Sequence, residues 1–236
     1  MEQIAISLIG QTIDEMKRDM DMAIEQEANI LELRFDALNR AEQTAKNLQA
    51  LIQYQDILDV YYTNRHISQA GPDPRFGFKG SEEERAELLG VAVDSNVRAA
   101  DIEAGHELDC NLRNSLYILS CHDFAKTPPY EELNRIYRSM FRDSRGKEPD
   151  IIKIATTANC DDDCENMLNL IKSRYDAPKY SWPEFIGLCM GKAGVKTRIK
   201  GPVLGSYLTF ACLEGKPAAP GQITIRELRK AWESRR

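Results

Sequence analysis

Long apolar runs, an excess of basic residues and a dense set of cysteines are all missing from this chain of 236 residues. No apolar run approaches the roughly 20 residues that a membrane-spanning helix needs, so we expect no membrane partner. The N-terminal segment MEQIAISLIG has no basic region and no cleavage pattern, which predicts a cytoplasmic protein without a signal peptide. Acidic residues outnumber basic ones by 37 to 31, for a formal charge of −6, so nucleic acid is not an expected partner.

The cysteines are too few and too scattered for a disulfide framework in a chain of this size. The motif CDDDCE at 160–165 has two cysteines, but no second Cys/His pair follows at zinc spacing. Its aspartates are typical of the acidic first turn of a helix. We therefore predict reduced thiols, no bound metal and no cofactor. The six cysteines are Cys110, Cys121, Cys160, Cys164, Cys189 and Cys212.

Short strand-like runs alternate with longer helical stretches along the whole chain. The strand-like runs are 4–10, 29–35, 57–64, 98–104, 116–122, 150–155, 184–190 and 201–210, and the clearest helical stretches are 12–28, 81–96, 129–144 and 161–175. Eight such runs, each followed by a helix or a helical turn, favour an α/β protein with a single (β/α)8 TIM barrel over residues 1–236. An open doubly wound sheet is the alternative, but SLIGQT after the first run lacks the glycine pattern of a dinucleotide-binding turn.

Three charged residues alternate with apolar ones in the segment NILELRFDAL, residues 29–38. Glu32, Arg34 and Asp36 would share one face of a strand, because side chains alternate along a strand. An edge strand with a wet face is one interpretation. In a barrel, the same face would line the interior near the carboxyl ends of the strands, where barrel active sites lie.

Two residues at predicted strand ends could carry chemistry. Lys153 stands between isoleucines in DIIKIA, where burial would disfavour the charged amine and make it a nucleophile towards a ketone. A lysine that reaches solvent from a strand end is an equally good interpretation of that residue alone. His122 closes the fifth run, where it could exchange protons with a bound substrate, whereas His66 and His106 lie in polar stretches and are predicted to be surface residues.

Three arginines lie near predicted strand ends or loops: Arg34, Arg65 and Arg198. Arginine binds carboxylates in a bidentate manner, so a cluster could form a local anion site within an acidic protein. Together with Lys153 they predict an anionic keto substrate. The long segment at 65–81 and the Pro- and Gly-rich segment EGKPAAPGQ at 214–222 are candidate lids.

A set of short motifs resembles one family, type I 3-dehydroquinate dehydratase, in order from the first strand to the last helix. The motifs are SLIG (7–10), ELRFD (32–36), ADIE (100–103), SCHDFAKTP (120–128), DIIKIA (150–155), CMGKAGVKTR (189–198), GSYLTFA (205–211) and APGQIT (219–224). The resemblance implies a (β/α)8 barrel, a homodimer, and the conversion of 3-dehydroquinate to 3-dehydroshikimate and water.

The resemblance also implies roles for individual residues. Lys153 would form the imine, His122 would be the general acid and base, and Glu32 would orient His122. Arg198 would hold the substrate carboxylate, and Met190 and Phe210 would pack around its ring. The full set of implied substrate-binding positions is Ser7, Glu32, Arg34, Arg65, Gln69, Met190, Arg198, Phe210, Ala218 and Gln222.

Two positions depart from the family pattern. Gln69 stands where the family usually has a glutamate, and Ala218 stands where a serine is common. Both changes predict weaker substrate binding with the chemistry retained. A class I aldolase, which also uses an imine lysine, and a weakened relative that binds a cyclic acid without turnover are the alternatives.

Overall fold

The structure, a computed structural model, describes residues 3–106, 108, 111–112, 114–142, 148–177 and 182–234. The strands in this part of the chain are β1 Ile4–Leu8, β2 Ile30–Arg34, β3 Asp59–Thr63, β4 Ala99–Glu103, β5 Leu116–His122, β6 Ile151–Thr157, β7 Glu184–Met190 and β8 Thr209–Ala211. The α-helices are α1 Ile13–Glu25, α2 Ala45–Ile52, α3 Glu82–Asp94, α4 Tyr130–Arg142, α5 Asp161–Tyr175, α6 Gly191–Lys200 and α7 Ile225–Glu233. Among the described residues, no helix has both the length and the apolar character to cross a membrane.

The strands belong to one sheet in the order β7-β6-β5-β4-β3-β2-β1-β8. The pairs β1–β2, β2–β3, β3–β4 and β6–β7 are parallel. Their register places Ser7 beside Glu32, and Thr63 beside both Arg34 and Asp101. Side chains in register share one face of a sheet, so polar groups of β1 to β4 point to the same side.

The chain divides into two compact units. The N-terminal unit spans Ala5–Ile118, and the C-terminal unit comprises Leu119–Arg236 together with Met1–Ile4. The single domain expected over residues 1–236 stays a prediction.

In the N-terminal unit, every residue of β2 is buried, so both of its faces are covered. The helix α3 begins with a capping box: the Ser81 side chain accepts a hydrogen bond from the Glu84 N–H, and the Glu84 side chain accepts one from the Ser81 N–H. Arg85 lies on the buried stripe of α3 with Leu88, Leu89 and Ala92. A guanidinium therefore occupies a position that apolar residues normally take.

In the C-terminal unit, the eighth strand differs from the prediction of residues 201–210. Residues 202–204 form a 3-10 turn after α6, and Gly205 has φ +107, a conformation that ends the turn and that glycine adopts readily. Only Thr209–Ala211 is extended. The other seven strands lie within two residues of their predicted limits. The helix or helical turn predicted after β4 falls partly on residues outside the described ranges.

Candidate active site

Glu32, at the centre of β2, is buried and accepts two hydrogen bonds from neighbouring strands. The Ser7 hydroxyl donates to its Oε2 at 2.6 Å, and the Thr63 hydroxyl donates to its Oε1 at 3.4 Å. Ser7 pairs with Glu32 in the register of β1 and β2, and Thr63 pairs with Arg34, two residues further along β2. The sheet itself therefore positions the carboxylate. The face of ELRFD that was predicted to be interior is therefore a buried polar face, and not the solvent-exposed face of an edge strand.

Arg34 and Asp36 form a buried bidentate pair. The Arg34 Nε donates to Oδ1 of Asp36 at 2.9 Å and Nη2 donates to Oδ2 at 2.8 Å, while the Gly77 N–H also donates to Oδ2 at 2.9 Å. Burial works against both charges, yet the pair lowers the pKa of Asp36 and raises that of Arg34. Asp36 thus connects the end of β2 to the 65–81 segment, which the sequence marks as a lid.

We expect the stabilisation that the Arg34–Asp36 pair contributes to be lost in acid. Because the folded pKa of Asp36 is lowered, its contribution is fully present above the ordinary aspartate pKa of about 3.9 and is lost as the pH falls below it. Urea unfolding at pH 7, 5 and 3.5 measures this slope. We expect the variant D36N to be less stable at pH 7 and to depend less on pH. An unchanged slope in D36N would show that other carboxylates carry the acid sensitivity.

Arg65 lies between two buried acids of β4. Its Nη1 and Nη2 donate to the two carboxylate oxygens of Asp101 at 2.9 and 3.1 Å, and Nη1 also donates to Glu103 at 3.0 Å. Although burial opposes the charge, these acids raise the pKa of Arg65 above its ordinary value. The second oxygen of Glu103 accepts from Arg85 at 2.8 Å. Arg65 therefore has a fixed orientation before any ligand binds.

Gln69 lies in the 3-10 turn that follows Arg65, and its Nε2 donates to the Ala104 carbonyl at 3.3 Å. A glutamate at this position could not donate that bond, because an ionised carboxylate only accepts. The amide that departs from the family pattern thus connects the turn after β3 to the end of β4.

This contact predicts the effect of restoring the acidic residue. We expect Q69E to lower the free energy of unfolding by about 1–2 kcal/mol, because it places a carboxylate against a carbonyl oxygen. Urea unfolding measures the loss, and Q69M, which removes the donor without adding charge, should lose less. A Q69E protein as stable as the wild type would rule out this role for the amide.

In the C-terminal unit, Lys153 stands in the middle of β6 and is only 5% exposed. Its Nζ lies 4.4 Å from the centre of the Phe210 ring. The register of β6 with β7 places Lys153 beside Ile186 and Thr157 beside Met190, so Met190 lies towards the carboxyl end of the face that carries the lysine. The lysine is therefore buried in the sheet and does not extend to solvent.

His122 ends β5 and is half-buried, with its ring stacked on Phe124 at 6.3 Å between centres. The segment after it is fixed on the end of β6. The Asp123 N–H donates to the Ala155 carbonyl at 2.9 Å, and the Thr157 hydroxyl donates to the Asp123 carbonyl at 3.1 Å. In parallel strands this bonding places His122 beside Ala155, on the face that carries Lys153.

Arg198, which was predicted to lie near a strand end or a loop, lies in the last turn of α6. Its side chain is buried, and Nη1 donates to the Phe210 carbonyl at 3.4 Å. The Thr209 hydroxyl in turn donates to the Arg198 carbonyl at 3.0 Å. These contacts connect α6 directly to β8.

The predicted lid at 214–222 is held by a hydrogen bond within the segment and by a hydrogen bond to the start of α6. The Ala218 N–H donates to the Gln222 side chain at 2.7 Å, and the Gly191 N–H donates to the Pro220 carbonyl at 2.9 Å. Gly221 has φ +74, and a Cβ there would collide with the Gly191 carbonyl, so this position requires glycine.

The sequence reasoning missed two partners of Arg65, Asp101 and Glu103, and it missed Arg85, which pairs with Glu103. The sequence does contain a pattern that could have identified the two acids, since Asp101 and Glu103 alternate with apolar residues in ADIE just as the charged residues do in ELRFD. Arg85 falls on the apolar stripe of α3. A charge at an apolar position predicts a buried ion pair.

The family model described as Type I 3-dehydroquinase matches residues 4–236. A relative named 3-dehydroquinate dehydratase from Methanocaldococcus jannaschii is 35% identical over 213 residues, which is 87% of this chain and 86% of the relative. Another of that name from Methanococcus maripaludis strain C5 is 33% identical over 213 residues, 87% of each chain. A 3-dehydroquinate dehydratase structure from Geobacillus kaustophilus aligns with a TM-score of 0.85 at 21% identity, covering 99% of this chain and 91% of that one. This likeness shows the fold, a (β/α)8 barrel, and confirms the predicted fold class.

Proposed function

The chain belongs to the type I 3-dehydroquinase family, and we propose that it dehydrates 3-dehydroquinate to 3-dehydroshikimate through an imine on Lys153. The observation that supports the imine is the burial of Lys153 in β6 against Phe210. Lysine is rarely buried without a specific reason, and an amine shielded from water is suited to attack a ketone. The activity is that of a hydro-lyase of the shikimate pathway.

The proposed reaction has four steps. The Lys153 amine adds to the ketone and releases water, which gives the imine. His122 removes a proton from the adjacent carbon, and the electron pair passes into the imine to give an enamine. The enamine expels the hydroxyl group, which leaves as water after it takes the proton from His122. A water molecule then hydrolyses the imine, which frees Lys153 and the product, so the net reaction releases one water.

The remaining predicted site residues are proposed to bind the substrate. In the N-terminal unit, the buried and oriented guanidinium of Arg65 supports a role in binding an anionic group. In the C-terminal unit, Phe210 offers an apolar surface beside Lys153. The proposed set is Ser7, Glu32, Arg34, Arg65, Gln69, Met190, Arg198, Phe210, Ala218 and Gln222.

We further propose one catalytic domain over residues 1–236, a cytoplasmic location, and the homodimer that the family resemblance implies. Five cysteines in the described part of the chain are free thiols, which supports a reducing compartment: Cys121, Cys160, Cys164, Cys189 and Cys212. Sedimentation analysis of the purified protein tests the dimer.

The experiment that tests the proposed function combines turnover with chemical trapping. The purified protein is incubated with 3-dehydroquinate, and product is followed by the ultraviolet absorbance of its conjugated double bond. A parallel sample is reduced with borohydride and mapped by peptide mass. We expect turnover and a stable adduct on Lys153. Binding without turnover or adduct would favour the weakened relative that Gln69 and Ala218 suggested, and cleavage of a carbon–carbon bond would favour the class I aldolase.

A further inference from the structure

Outside the proposed substrate site, the described residues of the N-terminal unit contain a cluster of possible metal ligands: His66, Glu82 and His106. One ligand atom from each residue lies within 4.8 Å of the others. His66 follows β3, Glu82 is the first residue of α3, and His106 follows β4. The cluster therefore joins three separate segments of the chain.

The two histidines, which their sequence context predicts to be surface residues, are partly exposed and contact each other. Their rings stack with centres 3.7 Å apart and planes 17° from parallel. The Nε2 atom of His66 lies 3.7 Å from Oε1 of Glu82. The His66 side chain is 20% exposed and that of Glu82 is 47% exposed, so an ion can reach the cluster from solvent.

Neighbouring groups hold these side chains in place. The Ser68 hydroxyl lies 2.7 Å from Nδ1 of His66 and 3.0 Å from Nε2 of His106, so it connects the two rings. Both oxygens of Glu82 accept from Arg85, Oε1 from Nε at 3.1 Å and Oε2 from Nη2 at 2.8 Å, and Arg85 is itself paired with Glu103. Metal-binding histidines and carboxylates are commonly held by such outer contacts.

We propose that His66, Glu82 and His106 bind a divalent transition-metal ion, with zinc as the best fit. Two imidazoles and one carboxylate form a typical zinc ligand set, whereas magnesium and calcium prefer oxygen ligands alone. Water would complete the coordination. Binding requires the stacked rings to tilt apart so that the ion lies in both ring planes, and partly exposed side chains on loops allow this. The bound ion would tie the start of α3 to the turns after β3 and β4.

Zinc titration of untagged protein at pH 7.5 tests the proposal, because a histidine tag would itself bind zinc. We expect one saturable site per chain by calorimetry, and excess magnesium should not compete. The variants H66A and H106A should each lower the affinity by about tenfold or more, and E82Q should lower it less.

Two matched variants serve as controls. H122N removes the third histidine of the chain, and E83Q makes the same charge change as E82Q one position along α3. Both should bind zinc as the wild type does. Absence of saturable binding by the wild-type protein, or wild-type affinity in H66A and H106A, would overturn the proposal. Urea unfolding verifies that each variant is folded, and H106Q replaces H106A if the alanine variant is not. The outcome is independent of the proposed dehydratase activity.

Discussion

The variant K153M is expected to lose turnover of 3-dehydroquinate and to form no borohydride-stable adduct. We expect kcat to fall by at least ~10⁴-fold, because the covalent route is closed when its nucleophile is removed. Methionine has a similar length and is apolar, so it can take the place of the lysine stem beside Phe210. The free energy of unfolding should therefore stay at or above the wild-type value.

The variant H122N distinguishes the two proposed roles. It keeps Lys153 and should still be trapped by borohydride with the substrate, while its turnover falls by about 10²–10⁴-fold, the range for a general acid–base group. Mass mapping and steady-state rates on the same preparations give both readouts. Turnover by K153M close to that of the wild type would reject the imine mechanism and leave a non-covalent dehydratase to be considered.

The second large effect is expected on stability. The variant R65M removes the guanidinium that lies between Asp101 and Glu103 and leaves their negative charges buried together. Breaking a buried pair in this way costs about 3–5 kcal/mol. We expect a loss of this size in urea unfolding at pH 7.

The same substitution at an exposed pair is the control. Arg75 is bound to Asp73 at 2.7 Å, but its side chain is 50% exposed. We expect R75M to cost less than about 1 kcal/mol. The double variant with R65M and D101N should recover part of the loss, because it also removes one of the two buried carboxylate charges that lose Arg65, while the other, Glu103, keeps Arg85. A loss in R65M as small as that in R75M would show that the buried acids are stable without the arginine.

Much of the fold was predictable because its signals are local. The strand β2 has strict alternation of charged and apolar residues, and Ser81 with Glu84 starts α3 by a short-range capping pattern. The interior position of Glu32 also followed from alternation, since Ser7 and Thr63 lie on adjacent strands in register with the polar face. Lys153 was identified from its isoleucine neighbours in DIIKIA, and His122 from its position at the end of the fifth run. The structure places Lys153 within β6 and not at its end.

Features that depend on long-range contacts were not predictable. The segment 201–210 looks extended, but the 3-10 turn at Pro202–Leu204 and the positive φ of Gly205 shorten the strand. The stacking of His66 on His106 joins residues 40 positions apart, and nothing in the neighbouring sequence marks it. The partner of Gln69 is a backbone carbonyl, which leaves no trace in residue type.

Glu103 restricts how this protein can evolve. Its carboxylate accepts hydrogen bonds from Arg65, Arg85 and the His66 N–H at the same time. A change at either arginine leaves a buried negative charge, and a change at Glu103 leaves two arginines with one acid fewer. Single substitutions among these residues are therefore harmful even where a coordinated double change would be neutral. Natural variation at these positions should therefore occur as linked replacements. A library that randomises Arg65, Arg85 and Glu103 together should yield functional combinations that cannot be reached by one substitution at a time.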